Sequence, residues 1–280
     1  MNSRREEILK EMGLAPLWRL RVEQRHRGAS PADISPGSAS EPADAVLLGS
    51  AAASPAAISR HALPQAPLGR AVALDAPAVQ DDRRAAIMRM DWSELKETVA
   101  GCVACSLHLK RNKTVFGVGD EHADWMFIGE GPGADEDAQG DPFVGQAGKL
   151  LDNMLAAIKL KRGENVYIAN VVKCRPPGNR NPEPGEALKC EPYLQRQIEL
   201  IKPRLIIALG RVAALNLLSR EASIASLRGR VLAYKGTPLI VTYHPAYLLR
   251  NLTDKSKAWE DLCFAVKTMQ GLQSRQSATT

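Results

Sequence analysis

The sequence has no run of eighteen apolar residues and therefore no candidate transmembrane helix. Its first ten residues are charged and lack the apolar stretch of a secretory signal, so the expected location is the cytoplasm, with no membrane partner. Aromatic residues are only 5% of the chain, beside eighteen prolines and twenty-one glycines. Cysteine is scarce, with five in 280 residues, and in a reducing compartment that number argues against a disulfide framework. Metal ligation and thiol chemistry are left to test. One-signed charge is also modest. The whole chain carries 37 Lys and Arg against 31 Asp and Glu, a net +6, and residues 91–280 carry 25 against 21, a net +4. Such a surface permits a polyanionic partner, but any nucleic-acid footprint has to come from clustering.

What is present begins with a short amphipathic pattern between Arg4 and Leu20, where Ile8, Leu9 and Met12 precede Gly13 and Pro16. Residues 1–26 read as a docking segment of unknown partner. Residues 27–90 are rich in Ala, Pro and Ser and bury too little apolar surface to offset chain entropy, so they read as a disordered linker. A single domain is expected over 91–272, with a flexible tail at 273–280. Within it, Trp125–Ile128, Val166–Val172, Leu205–Leu209 and Leu239–Tyr243 read as buried strands. Ala147–Leu160, Gly185–Ile201, Arg211–Leu218 and Lys255–Met269 have helical spacing. This alternation implies an α/β fold, a three-layer αβα sandwich around a central four-stranded parallel sheet. In such folds ligands bind beyond the carboxyl ends of the strands, which is where the unusual loops of this sequence lie.

Cys102-Val-Ala-Cys105 puts two thiols on one turn, and Cys174 and Cys190 follow after 68 and 15 intervening residues. Four thiolates suit tetrahedral zinc or a 4Fe–4S cluster. A zinc ribbon would usually supply a second C-x-x-C, which is missing, so the pattern favours the cluster while leaving both open. Cys263 lies among Leu262, Phe264 and Val266 and reads as core.

The loop Gly129-Glu130-Gly131-Pro132-Gly133 is neither the P-loop nor the dinucleotide fingerprint. Its glycines admit close backbone approach to a ligand, and Glu130 puts a carboxylate at a strand end. Taken with Pro142-Phe143-Val144-Gly145, Asn170-Val-Val-Lys-Cys-Arg-Pro-Pro, the four cysteines and His244-Pro-Ala-Tyr-Leu-Leu-Arg-Asn251, it resembles the family 4 uracil-DNA glycosylases, which carry a 4Fe–4S cluster. The resemblance runs from about Cys102 to Met269. It implies a monofunctional hydrolytic enzyme that removes uracil from single- or double-stranded DNA and works as a monomer, with Cys102, Cys105, Cys174 and Cys190 holding the cluster.

The chemistry of base removal then assigns roles. A glycosylase flips the nucleotide and reads the base in a pocket. Phe143 can stack on the uracil ring. The Asn170 amide can donate to uracil O4 and accept from N3–H, a pattern opposite to that of cytosine. His244 can donate to O2 as charge builds on the departing base. Glu130 and, from the resemblance, Asn179 are candidates to position or deprotonate the attacking water. Better-known relatives carry an Asp at the position of Gly131, which leaves the water-activating group the least defined. Glu136 can crowd the 5-position and exclude thymine. The resemblance also implies that Tyr247, Leu248 and Arg250 enter the minor groove, and Lys173, Arg175, Arg180 and Arg211 are candidate phosphate contacts. Two other function classes are compatible with the cysteines: a non-catalytic DNA-binding or redox module, and a zinc-stabilised hydrolase acting on nucleotides. Neither needs a base-reading amide opposite an anion-stabilising donor.

Overall fold

The computed structural model describes Glu11 and residues 76–277. The expected docking segment, apart from Glu11, and most of the expected linker lie outside the described residues. In chain order the elements are α1 (Ala76–Ile87), α2 (Trp92–Ala100), β1 (Val118–Gly119), β2 (Trp125–Gly129), α3 (Ala134–Gln139), α4 (Gln146–Ala157) and β3 (Val166–Asn170). They continue as α5 (Pro184–Ile201), β4 (Leu205–Leu209), α6 (Arg211–Leu218), α7 (Ile224–Leu227), β5 (Leu232–Tyr234), β6 (Thr237–Thr242), α8 (Pro245–Arg250) and α9 (Lys255–Ser277).

The sheet runs β1-β3-β2-β4-β6-β5, and its four central strands are parallel, as expected. β2, β3 and β4 are buried at every residue, the mark of strands covered on both faces. Alternate residues divide between the two faces. Met126, Ile128, Tyr167 and Ala169 pack with α2, α5 and α6 in one core, whereas Trp125, Phe127, Val166 and Ile168 pack with α4 and α9 in the other. The sheet also has antiparallel edges, β1 and β5, of two and three residues. Such short strands leave no periodic signal.

Two boundaries differ from expectation. Helix α1 lies inside the stretch read as linker, and Ile87 is 1% exposed in the core shared with Leu95, Val99 and Tyr193. Arg84 binds the Glu191 carboxylate and Gln195 on α5. The segment is poor in apolar residues overall, and one buried isoleucine with two paired arginines, Arg84 and Arg83, which donates to the Lys189 carbonyl at 2.8 Å, is enough to pin it. At the other end α9 continues to Ser277, past the expected start of the tail. Removing residues 1–74 should therefore leave the thermal midpoint unchanged. Removing 1–90 discards Ile87 and should lower it by more than about 5 °C, given the loss expected for a large buried aliphatic.

Candidate active site

The chain reverses direction across the sheet between β2 and β4, with β3 on one side and β6 on the other. Loops at the carboxyl ends of these strands diverge there and leave a crevice. It is a cavity of about 450 Å³, lined among others by Glu130, Phe143, Asn170, Asn179, Gly210 and His244. The sequence-predicted Gly131, Glu136, Arg180, Tyr247 and Arg250 line it too.

Asn170 ends β3 and is 2% exposed, and its Oδ1 has no hydrogen-bond partner. A buried acceptor left unpaired costs about 1–3 kcal/mol, and this one is open to a partner from the cavity. Gly129 lies opposite it in register on β2. A Cβ at Gly129 would approach Asn170 Oδ1 to 2.5 Å and Phe143 Cζ to 2.6 Å. The missing side chain is what lets the amide and the ring share one wall. Phe143 has φ +55, a left-handed conformation rare for a bulky residue. Arg162 holds that turn by donating to the carbonyls of Pro142 and Phe143 at 2.9 and 2.8 Å. The strain and its support turn the ring inward.

His244 is the N-cap of α8, and its Nδ1 accepts the Ala246 N–H at 3.1 Å. A neutral ring whose Nδ1 accepts carries its proton on Nε2, which is free to donate. Burial, reinforced by the Arg250 charge, pushes the imidazole down to about 4, so it is neutral at physiological pH. Its ring centroid is 5.6 Å from that of Phe143. Gly210, at φ +91, backs it, because a Cβ there would meet His244 Cβ at 2.8 Å.

The carboxylates differ in employment. Glu130 is raised above the usual range by burial. Glu136 accepts the N–H groups of Gly133 and Val144 at 3.0 Å each and of Gly145 at 3.2 Å. It joins the glycine loop to the Phe143 loop while lining the cavity. Gly131 packs under Val172, whose Cγ2 would be 2.7 Å from a Cβ, so a side chain there requires the Val172 side chain to shift. Asn179 is exposed, with Oδ1 accepting from Arg175 Nε at 2.7 Å. Arg180 is held by Glu186 through bonds of 2.9 and 2.7 Å.

All four predicted cysteine ligands line a second, smaller cavity, on the sheet face of α2 and α5. Cys102 and Cys105 border the turn after α2, Cys174 follows β3, and Cys190 is on α5. Arg111 donates to Cys174 Sγ at 3.2 Å and to the Cys102 carbonyl at 2.6 Å, and the Lys173 N–H donates to Cys190 Sγ at 3.3 Å. Burial pushes the Cys190 thiol up to about 12 and raises Cys174 as well. Unligated they are thiols, whereas a soft metal would hold them as thiolates, for which the N–H groups are already placed. The donor set fits a thiolate-bound centre. Among the described residues no group of three His, Cys, Asp or Glu side chains is disposed to hold a single ion.

Comparison with known proteins is decisive for the family. Residues 116–263 match the model of the uracil DNA glycosylase superfamily. A type-4 uracil-DNA glycosylase of Archaeoglobus fulgidus is 48% identical over 164 residues, covering 56% of this chain and 82% of that protein. The chain belongs to the type-4 uracil-DNA glycosylases. Members from Thermotoga maritima and Pyrobaculum aerophilum are 45% and 42% identical, over 84% and 92% of their own lengths.

Two residues expected to face DNA are not placed to do so in this type-4 chain. Lys173 is 1% exposed, and its ammonium donates to the Asn170 carbonyl at 3.0 Å and to Gln197 Oε1 at 2.6 Å. No phosphate can reach it. Leu248 is 0% exposed and packs with Leu150, Met154 and Leu262, whereas Leu249, one residue on, is 42% exposed. The helical turn of α8 rotates the expected wedge inward and its neighbour outward. Tyr247 stacks on Tyr243 at 5.3 Å and donates its hydroxyl to Asp254 at 2.7 Å. Arg250 has no ion-pair partner among the described residues. No helix among the described residues is long and apolar enough to cross a membrane. Sequence reasoning named Gly129 only as one glycine of its loop and passed over the roles of Gly210, Arg111 and Gln197; the basic character of Arg111, six residues after Cys105, hinted at a role.

Proposed function

We propose that this pocket takes up a uracil flipped from DNA and hydrolyses its N-glycosidic bond, releasing free uracil and leaving an abasic site. The observation that carries the reading is the unpaired, buried Asn170 acceptor in the same cavity as a neutral His244 whose Nε2–H is free, in a chain of the type-4 family. Phe143 stacks on the base, and Asn170 accepts from N3–H and donates to O4. As the bond from C1′ to N1 breaks, its electron pair passes to the uracil ring, and His244 donates to O2 where that charge gathers. Water adds its oxygen to C1′ on the other face of the sugar, and Glu130 takes its proton. Glu130 is favoured over Asn179 for this step because burial raises its proton affinity, while Asn179 Oδ1 is engaged by Arg175. Asn179 then serves to place Arg175 at the rim. Arg175, Arg180, Tyr247 and Arg250 are the proposed DNA contacts, with Leu249 as the wedge.

Cys102, Cys105, Cys174 and Cys190 would hold a 4Fe–4S cluster. Four soft thiol donors lining one cavity, in a chain of the type-4 family, support this reading. When bound, the cluster supplies a covalent staple between the turn after α2, the end of β3 and α5. An enzyme of this kind works as a monomer in the cytoplasm, on nucleoid DNA.

The test is incubation of the purified chain with a uracil-containing oligonucleotide, followed by alkali. Strand breaks at uracil together with free uracil are expected, and their absence overturns the reading. Acid dependence separates the two titrating groups. Glu130 acts as a carboxylate, so the single-turnover rate should be high above its raised pKa and fall below it, with a midpoint above its ordinary 4.5. His244 adds no limb near 6.5, because it is neutral down to about 4. Glu130→Gln should abolish the limb, leaving a slow rate that is flat with pH.

A further inference from the structure

Lys173, 1% exposed just past the end of the central strand β3, is a buried lysine of which the pocket chemistry makes no direct use. Burying an ammonium is unfavourable unless its donors are met, and an apolar side chain of similar length would fill the space without that cost. Its partners explain its presence. Nζ donates to the Asn170 carbonyl at 3.0 Å and to Gln197 Oε1 at 2.6 Å. Gln197 in turn donates to the Phe116 carbonyl at 3.0 Å and to the Tyr167 hydroxyl at 3.3 Å. The Lys173 N–H donates to Cys190 Sγ at 3.3 Å, and the next residue is Cys174.

The thiols pack on the α5 face of the sheet, whereas Phe143 packs on the opposite face, beside the Asn170 amide. Lys173 stays on the thiol side and reaches from there to the main chain at the end of β3, where the Asn170 side chain begins. We propose that Lys173 is a positioning residue that ties the thiol centre to the base-reading end of β3 and so sets how tightly the pocket holds uracil. The main-chain carbonyl of Asn170 is fixed from the thiol side, so its side chain, which has no partner of its own at Oδ1, keeps one orientation. Without that tie the amide swings, and uracil is held by stacking and His244 alone. This rests on the uracil-excising reading of the pocket.

Full-length wild type, Lys173→Met and Asn170→Ala, each with its iron and sulfide content measured, are compared for inhibition by free uracil and for affinity to abasic-site DNA. Lys173→Met should raise the uracil inhibition constant about tenfold, the factor equivalent to one weakened hydrogen bond, with cluster content kept and DNA affinity within about twofold. A merely structural lysine would lower the active fraction and leave that constant where it is, which overturns the proposal. If Lys173→Met does not fold, Lys173→Gln keeps an amide donor on a shorter stem and should give an intermediate constant; a wild-type constant overturns the proposal equally. A raised constant in Asn170→Ala but not in the Lys173 variants removes only this inference. Wild type that neither excises uracil nor is inhibited by it removes the reading of the pocket as well.

Discussion

Replacing His244 by Ala should slow single-turnover release of uracil by about 10²- to 10³-fold, the usual loss for one donor aimed at developing negative charge. Affinity for uracil-containing DNA should change by no more than a few-fold, since the proposed phosphate contacts, Arg175 and Arg180, are other residues of the rim. The separation of the two effects is what identifies the role. Nδ1 is occupied by the Ala246 N–H, so the ring offers the substrate a single donor, and burial together with Arg250 keeps it neutral. A neutral donor binds the ground-state carbonyl weakly and the departing anion strongly. Equal losses of rate and affinity would instead mean that His244 serves mainly to cap α8.

Asn170→Asp should cost about two to three orders of magnitude in kcat/KM on uracil, because a carboxylate has no N–H for O4 and repels it. The same change should raise activity on cytosine relative to uracil, measured on paired oligonucleotides that differ at one base. Cytosine offers an N4–H donor where uracil has an acceptor. An unchanged preference would remove Asn170 from base reading. The size of the effect follows from burial: at 2% exposure, water is poorly placed to take over a lost bond.

Much of the fold is legible in the sequence for a definable reason. The parallel strands β2, β3 and β4 are unbroken apolar runs, and each ends on glycine, asparagine or a loop rich in unusual residues. The rim that gathers Glu130, Asn170 and His244 then follows from strand direction alone. What is not legible depends on rotation and reach. Leu248 and Leu249 are chemically the same in sequence, and only the phase of α8 decides which is buried. Lys173 has the same basic signature as Arg175 and Arg180, yet its stem turns under the strand. Glu136 looks free in an acidic run, whereas three backbone N–H groups from two loops claim its oxygens. Helix α1 is hidden by composition, since one buried isoleucine does not shift the average of a linker-like stretch.

The gap at Gly129 has a consequence for how this chain can change over time. Any other amino acid there projects an atom into the volume that both the reading amide and the stacking ring require. No compensating trim is open to them, because shortening either removes the function being protected. The position behaves as a lock on the lineage. Change elsewhere on the rim has to be accommodated around an alcove whose depth is set by one absent methyl group.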